Sequence, residues 1–319
     1  MLNQKENPEL VNLKPYIDNS DECAKAARKL EWGVALTTML SRGIIRNKKI
    51  LPGFAQYGVF FATMLVGREV TEAGKTISSG YFHLRHGDEI ADGDLKTPKE
   101  YSSARDYLLR TREVIEQVIS PNPQTPIWGN KHDILLVNTI NQAKKRGIDL
   151  GQEYLAIWDT MIFDEDRRRT GRIPTQAELD TYWRNMDTGC VSGSLKIAGE
   201  SVSASKLDDL SIATRTMFSI RDFVKDLKDG IVNISVEDVE NYGVDMNWCK
   251  GKSEKELLNY RPMRLWFKDQ TQLGMDHLSR STEQMKELSL KRLTRAALKV
   301  NFIGPTERGL QRFQQQLAA

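Results

Sequence analysis

Proline sets the first limit on this chain, because a helix interior accepts it only at a cost of about 3 kcal/mol and a central strand loses a ladder hydrogen bond to it. Three of the ten prolines fall in "SPNPQTP", residues 120–126, which reads as a loop between two helical regions. Beyond it, Pro126 to Pro174 and Pro174 to Pro262 are long proline-free intervals that helices can fill. Apolar periodicity agrees. Leu108, Ile115, Val118 and Ile119 share one helix face, as do Leu290, Leu293, Ala297 and Val300, and both stripes are expected to pack into a core. Alternating β patterns are scarce, with "GIVNIS" at 230–235 the one tempting short strand. The prediction is an all-α fold, with residues 1–50 a helical lead-in and 51–319 the main helical domain. No fixed-period repeat or low-complexity tract interrupts it.

Charge and cysteines exclude several classes. Lys+Arg 46 against Asp+Glu 43 leaves a formal charge of +3, too balanced for a nucleic-acid footprint or strong steering by an anionic membrane. Cys23, Cys190 and Cys249 are odd in number and widely spaced, so neither a disulfide framework nor a zinc motif is indicated, and a reducing cytoplasm fits. The polar start "MLNQKENPEL" lacks a signal-peptide core, and the most apolar window, "GVFFATMLVG" at 58–67, is too short to span a bilayer. A soluble protein is expected, with peripheral membrane contact left open. Oligomeric state is not legible.

The acids are distributed more pointedly. In "YFHLRHGDEIADGD", residues 81–94, Asp88 and Asp92 sit four apart, so on a helix both carboxylates point the same way from adjacent turns. The same spacing recurs at Asp222 and Asp226 in "SIRDFVKDLKDG", and nowhere else between aspartates. Each pair approaches a helix-ending glycine, Gly93 or Gly230, where the helix dipole disfavours a carboxylate by roughly 0.3–1 kcal/mol. A divalent cation reverses that sign, and Mg²⁺ in particular takes one or two carboxylates plus waters and substrate phosphates. Each pair also follows a cation, Arg85 or Arg221. Two such pairs would suit a metal-assisted diphosphate site, while solvated acidic helix faces are the ordinary alternative.

These segments resemble the squalene/phytoene synthase family. Tyr81, Arg85, Asp88, Glu89, Asp92 and Gly93 match its first motif, approximately Y-x-W-C-R-R-T-D-E-L-V-D-G. Arg221, Asp222, Asp226, Gly230 and Gly243 match its second. Between them, Met161, Asp164, Glu178, Leu179, Tyr182 and Gly189 match an intervening segment, and "VFFATMLVGREV" is loosely similar to a stretch ahead of the first motif. The resemblance covers roughly residues 55–250 in the family's order. It implies a single-domain isoprenoid synthase-type helical bundle with a central cavity, the two aspartate-rich helices facing each other across its mouth. It also implies head-to-head condensation of two prenyl diphosphates, farnesyl or geranylgeranyl, to a squalene- or phytoene-like isoprenoid. Asp88, Asp92, Asp222 and Asp226 would hold Mg²⁺, or Mn²⁺ in its place. Arg85, Arg221 and Arg167 would clamp diphosphate, and Tyr81, Tyr182 and Phe61 would line the cavity.

The match has departures. Arg215 and Phe218 stand where the family has glutamine and asparagine, His86 replaces an arginine, and Gly87 replaces a threonine. After Gly230, "IVNIS" replaces R-x-Y-L-P. By the resemblance these positions lie beside the diphosphate and the reacting carbons. Other readings are a class I terpene synthase acting on one prenyl diphosphate, and a non-catalytic scaffold relative. A transition-metal site from His83, His86 and Asp88 is the least favoured. The chain shows no Gly-rich dinucleotide fingerprint, so a reductive step with NADPH cannot be read from it.

Overall fold

The computed structural model describes residues 9–38, 71–123 and 126–318. Phe61, the apolar window 58–67 and the expected division at residue 50 lie outside them. The all-α class is the class observed. Among the described residues the only strands are β1 (Val11–Asn12) and β2 (Trp128–Gly129), antiparallel, with Val11 opposite Gly129 and Asn12 opposite Trp128. Among the same residues no helix is long and apolar enough to cross a membrane, and all three cysteines are free. Packing divides the chain into two compact units, Met1–Glu165 and Asp166–Ala319.

The first unit contains α1 (Lys14–Asp18), α2 (Ser20–Thr38), α3 (Glu72–Ala91), α4 (Ala104–Ile119), α5 (Asp133–Lys145) and most of α6 (Gly151–Thr170). Side-chain caps start three of them, and Asn19 Oδ1 opens α2 by accepting the Asp21 and Glu22 N–H groups at 3.2 and 3.1 Å. Thr71 accepts the Gly74 N–H at 2.9 Å to open α3, and Ser103 accepts the Asp106 N–H at 3.1 Å to open α4, each cap worth about 1 kcal/mol. Helix α3 lies against α2, α4 and α5. Phe82, Tyr107, Leu108, Ile115, Leu135 and Trp158 are fully buried in this unit, each stabilising it by roughly 1.5–3 kcal/mol. The expected stripe on α4 is inward at Leu108, Ile115 and Val118 and half-buried at Ile119. One close approach fixes how α6 meets α3: a Cβ on residue 87 would lie 2.6 Å from Trp158 Cη2 and 2.9 Å from Cζ3, so only glycine leaves room for the indole.

In the second unit, α7 (Gln176–Asp187) runs into a π-helical turn (Thr188–Ser192) and α8 (Gly193–Ala198), and a 3₁₀ turn (Ala204–Leu207) leads to α9 (Asp208–Lys228). Short helices α10 (Val236–Tyr242), α11 (Met246–Cys249) and α12 (Glu254–Asn259) precede the long α13 (Arg261–Glu287). Then follow α14 (Arg292–Leu298), a second π-helical turn (Lys299–Ile303) and α15 (Gly304–Ala318). Helices α9, α13 and α15 pack on one another around Met217, Phe223, Trp266, Phe267, Leu310 and Phe313. A capping box opens α7, the Thr175 hydroxyl and the Glu178 carboxylate each bonding the other's backbone N–H.

Two expectations fail here. "GIVNIS" is not a strand: the Ile231 N–H folds back to the Asp226 carbonyl at 2.8 Å, and the Val232 carbonyl receives the Arg167 guanidinium at 2.7 Å instead of a neighbouring strand. The 290–300 stripe is not a core stripe either. Helix α14 begins only at Arg292, so buried Leu290 precedes it, and the inward helical position is Leu298. Leu293 and Val300 therefore face out, 85% and 69% exposed.

Candidate functional site

Most of the α3 circumference is buried, including His83, His86, Gly87, Glu89 and Ile90. Beyond its first turn the exception is one stripe at helical spacing, where Ile77 is exposed and Tyr81, Leu84, Arg85, Asp88 and Asp92 are half-buried. Arg85 spans two acids: Nη1 donates to Asp88 Oδ2 at 2.6 Å, and Nε donates to Glu89 Oε1 at 3.1 Å. Asp88 is 39% exposed while Glu89 is fully buried, so the guanidinium is anchored from below and carries one carboxylate at the rim. Asp92 is the C-cap of α3, its N–H bonded to the Asp88 carbonyl at 2.8 Å, and Gly93 ends the helix at φ +75°.

The α9 helix repeats the composition. Arg215, Phe218, Ser219, Asp222 and Asp226 share its half-open face. Arg221 donates to Asp222 through Nε at 2.9 Å and Nη2 at 2.5 Å, and its guanidinium lies 4.5 Å from the Phe218 ring centroid. Asp226 accepts from Asn233 Nδ2 at 2.8 Å, and Asn233 Oδ1 accepts from Arg167 at 2.9 Å. Gly230 permits the turn that brings Asn233 back: its φ is +82°, and a Cβ there would meet the Arg168 carbonyl at 2.9 Å.

Arg167 needs a correction. Expected to clamp diphosphate, it is fully buried, bonded to Val232 and Asn233 with its guanidinium 4.9 Å from the Tyr182 ring centroid. Its work in this structure is to hold the 232–233 loop against α6, and through Asn233 to orient Asp226. Tyr182 is buried beneath it and packs edge-on against Trp183 at 4.7 Å. His86 and Gly87, expected beside diphosphate, face the interior of the first unit. His86 lies 3.7 Å from His132, centroid to centroid, and Gly87 receives Trp158. His83 sits between Asp133 Oδ1 at 3.0 Å and the Tyr154 hydroxyl at 2.9 Å, away from Asp88. The His83, His86 and Asp88 metal site is therefore not formed.

Among the described residues no group of three or more His, Cys, Asp or Glu side chains is arranged to hold a metal. Each half-open face instead offers two carboxylates, the number Mg²⁺ uses when phosphate oxygens and water complete its shell. Burial shifts one further acid beside α9. The Asp187 carboxyl is raised to about 6, chiefly by burial, with Arg215 Nη1 at 3.5 Å opposing the rise. Arg215, the departure at the glutamine position, thus has a counter-ion at the C-terminus of α7.

No protein-family model matches the chain, and no curated protein or solved structure matches it either. Motif reading passed over Asn233, Asp187 and His132. Asn233 sits where the family's R-x-Y-L-P is absent, and Asp187 immediately precedes a π-helical turn, a feature frequent at functional sites that only coordinates reveal.

Proposed function

We propose that the chain is a Mg²⁺-dependent prenyltransferase that ionises farnesyl or geranylgeranyl diphosphate and couples two prenyl units head-to-head, acting in the cytoplasm with peripheral membrane contact. One observation carries the reading: beyond its first turn α3 is buried over most of its circumference, yet its half-open stripe collects Tyr81, Arg85, Asp88 and Asp92. Like charges at this spacing cost a few tenths of a kcal/mol, and the helix C-terminus adds roughly 0.3–1 kcal/mol per carboxylate. That arrangement is favourable once cations are bound. The matching set on α9, Arg221, Asp222 and Asp226 beside Phe218, supports the same reading.

Asp88 with Asp92, and Asp222 with Asp226, would be the carboxylates that hold Mg²⁺, which when bound would supply Lewis-acid neutralisation of the charge on departing diphosphate. Arg85 and Arg221 donate N–H groups to the phosphate oxygens, trading carboxylate partners for them. Buried Glu89 keeps the Arg85 guanidinium in place during that exchange. Asn233 holds Asp226 in one orientation from behind. Tyr81 and Phe218 offer ring faces to the allylic cation.

Purified protein incubated with Mg²⁺ and either prenyl diphosphate, with and without NADPH, tests this by product analysis. A C30 or C40 hydrocarbon is expected. A C15 or C20 product would move the assignment to a terpene synthase, and no diphosphate release from any prenyl diphosphate would leave a scaffold. Asp88→Ala and Asp222→Ala should each abolish diphosphate release while preserving the helical circular dichroism. Near-normal turnover in either variant would refute the metal assignment.

A further inference from the structure

We infer that the second unit carries a separate binding groove for a phosphate-bearing, single-chain amphiphile. This inference does not rest on the prenyltransferase reading. The groove lies between the first half of α13 and the end of α15 and has a volume of 540 Å³, within the range of about 300–1,000 Å³ usual for small-molecule sites. Its cationic side is Arg261, Arg264 and Lys268, spaced three and four residues apart on one face of α13, and all three are exposed. Its apolar side is Leu265, Met275 and Leu317, with Leu265 43% exposed. Among the described residues no aspartate or glutamate lines it.

Three like charges on one helical stripe repel one another, whereas several arginines elsewhere among the described residues have a carboxylate beside them. Arg85, Arg112, Arg172 and Arg221 each have a carboxylate within 3.1 Å. In the groove, Arg264 donates to the Leu317 carbonyl at 2.6 Å, which fixes its guanidinium at the junction of the two helices. Arg261 and Lys268 make no hydrogen bond or ion pair among the described residues. An anionic head group between them would relieve the repulsion, and a single apolar chain would cover Leu265 and Leu317. A phosphate is the fitting head, because its several oxygens can accept from a guanidinium and an ammonium together. Neither half of such a ligand suffices alone: a free anion leaves the apolar side wet, and an alcohol leaves the cations unneutralised.

The test uses the full chain in EDTA, which removes any contribution from metal-dependent diphosphate binding at the acid pairs. Dodecyl phosphate, below its micellar concentration, is titrated calorimetrically against dodecanol and inorganic phosphate. Saturable binding is expected, at least tenfold tighter than either half-ligand and weakening as salt rises. The Arg261→Glu/Lys268→Glu double variant alters two exposed side chains without described contacts and should lose at least tenfold in affinity, as should Leu265→Asp. Arg292→Glu/Lys299→Glu, an equal charge change elsewhere in the unit, should leave affinity unchanged. Asp88→Ala/Asp222→Ala should also bind as wild type does, which separates failure of this inference from failure of the proposed reaction. Absence of saturable binding, equal binding of dodecanol, or an undiminished affinity in the groove double variant would overturn the proposal. Among supporting results, preference for farnesyl monophosphate over oleoyl lysophosphatidate would assign a prenyl ligand, and the reverse preference an acyl one.

Discussion

Replacing Gly87 with alanine should destabilise the first unit although alanine is the better helix former. The residue lies inside α3, one position before Asp88, where Gly→Ala alone would gain about 1 kcal/mol. Against that gain stands Trp158. The new methyl would sit 2.6 Å from Cη2 and 2.9 Å from Cζ3, with Met161 Sδ at 3.4 Å on the next side. The indole cannot yield freely: it is fully buried, its Nε1–H donates to the Leu108 carbonyl at 2.9 Å, and its ring stacks on His83 at 5.2 Å. Overpacking of this kind costs about 1–3 kcal/mol, and a lost buried hydrogen bond would add about 1–3 kcal/mol. The net expectation is a loss of about 1–3 kcal/mol, or roughly 2–4 °C in midpoint per kcal/mol for a unit of this size. Thermal unfolding followed by tryptophan fluorescence measures it. Gly33→Ala is the internal comparison, since Gly33 is an exposed position in α2 with nothing within 4 Å of the added methyl, and it should stabilise by about 0.4–1 kcal/mol. Adding Trp158→Phe should remove most of the Gly87→Ala penalty. If Gly87→Ala matched Gly33→Ala in sign, the packing argument would be refuted.

Asn233→Ala should lower the unfolding midpoint of the second unit by the equivalent of about 1–3 kcal/mol, because buried Arg167 loses an acceptor and Asp226 a donor; an unchanged midpoint would show the bridge to be incidental. The Asp187 carboxyl, raised to about 6, binds its proton more tightly folded than unfolded, so its contribution to stability should fall as pH rises from about 4 to 6. Asp187→Asn should abolish that fall in denaturant titrations, and an identical pH profile would contradict it. His132 has the opposite sign. Burial, aided by Lys131 and His83, lowers it to about 3, so the stability it contributes is complete above about 6.5 and is lost as pH falls toward 3. His132→Phe should make the acid limb of the stability curve shallower, and an equally steep limb would count against the burial of neutral imidazole.

Much of this was legible one-dimensionally, and the failures have local causes. Helix ends were readable because glycine has a cheap left-handed conformation: Gly93, Gly230 and Gly243 all adopt positive φ where the acid-rich segments stop. The placement of Asp88 and Asp92 on one face followed from helical period alone. Leu293 and Val300 misled because periodicity reports a stripe without saying which way it points, and a π-helical turn beginning at Lys299 shifts the register within the segment. Arg167 misled because an arginine near a motif carries no sign of its burial. Its acceptors come from residues 232 and 233, more than sixty positions along the chain.

Local sequence sufficed for the helical class, for helix ends marked by proline and glycine, and for the carboxylates that follow an arginine. Those depend on backbone sterics and on contacts within a few residues. Packing of whole helices was needed to turn His86 and Gly87 inward, to bury Glu89 beneath Arg85 and to link Arg167 to Asp226 through Asn233. It also left Arg261 and Lys268 on α13 without a carboxylate partner among the described residues, beside the apolar side chains of a groove. Each of these turns on which face of a helix meets another helix, and that is settled by whole-unit packing: the volume of one indole against one missing Cβ.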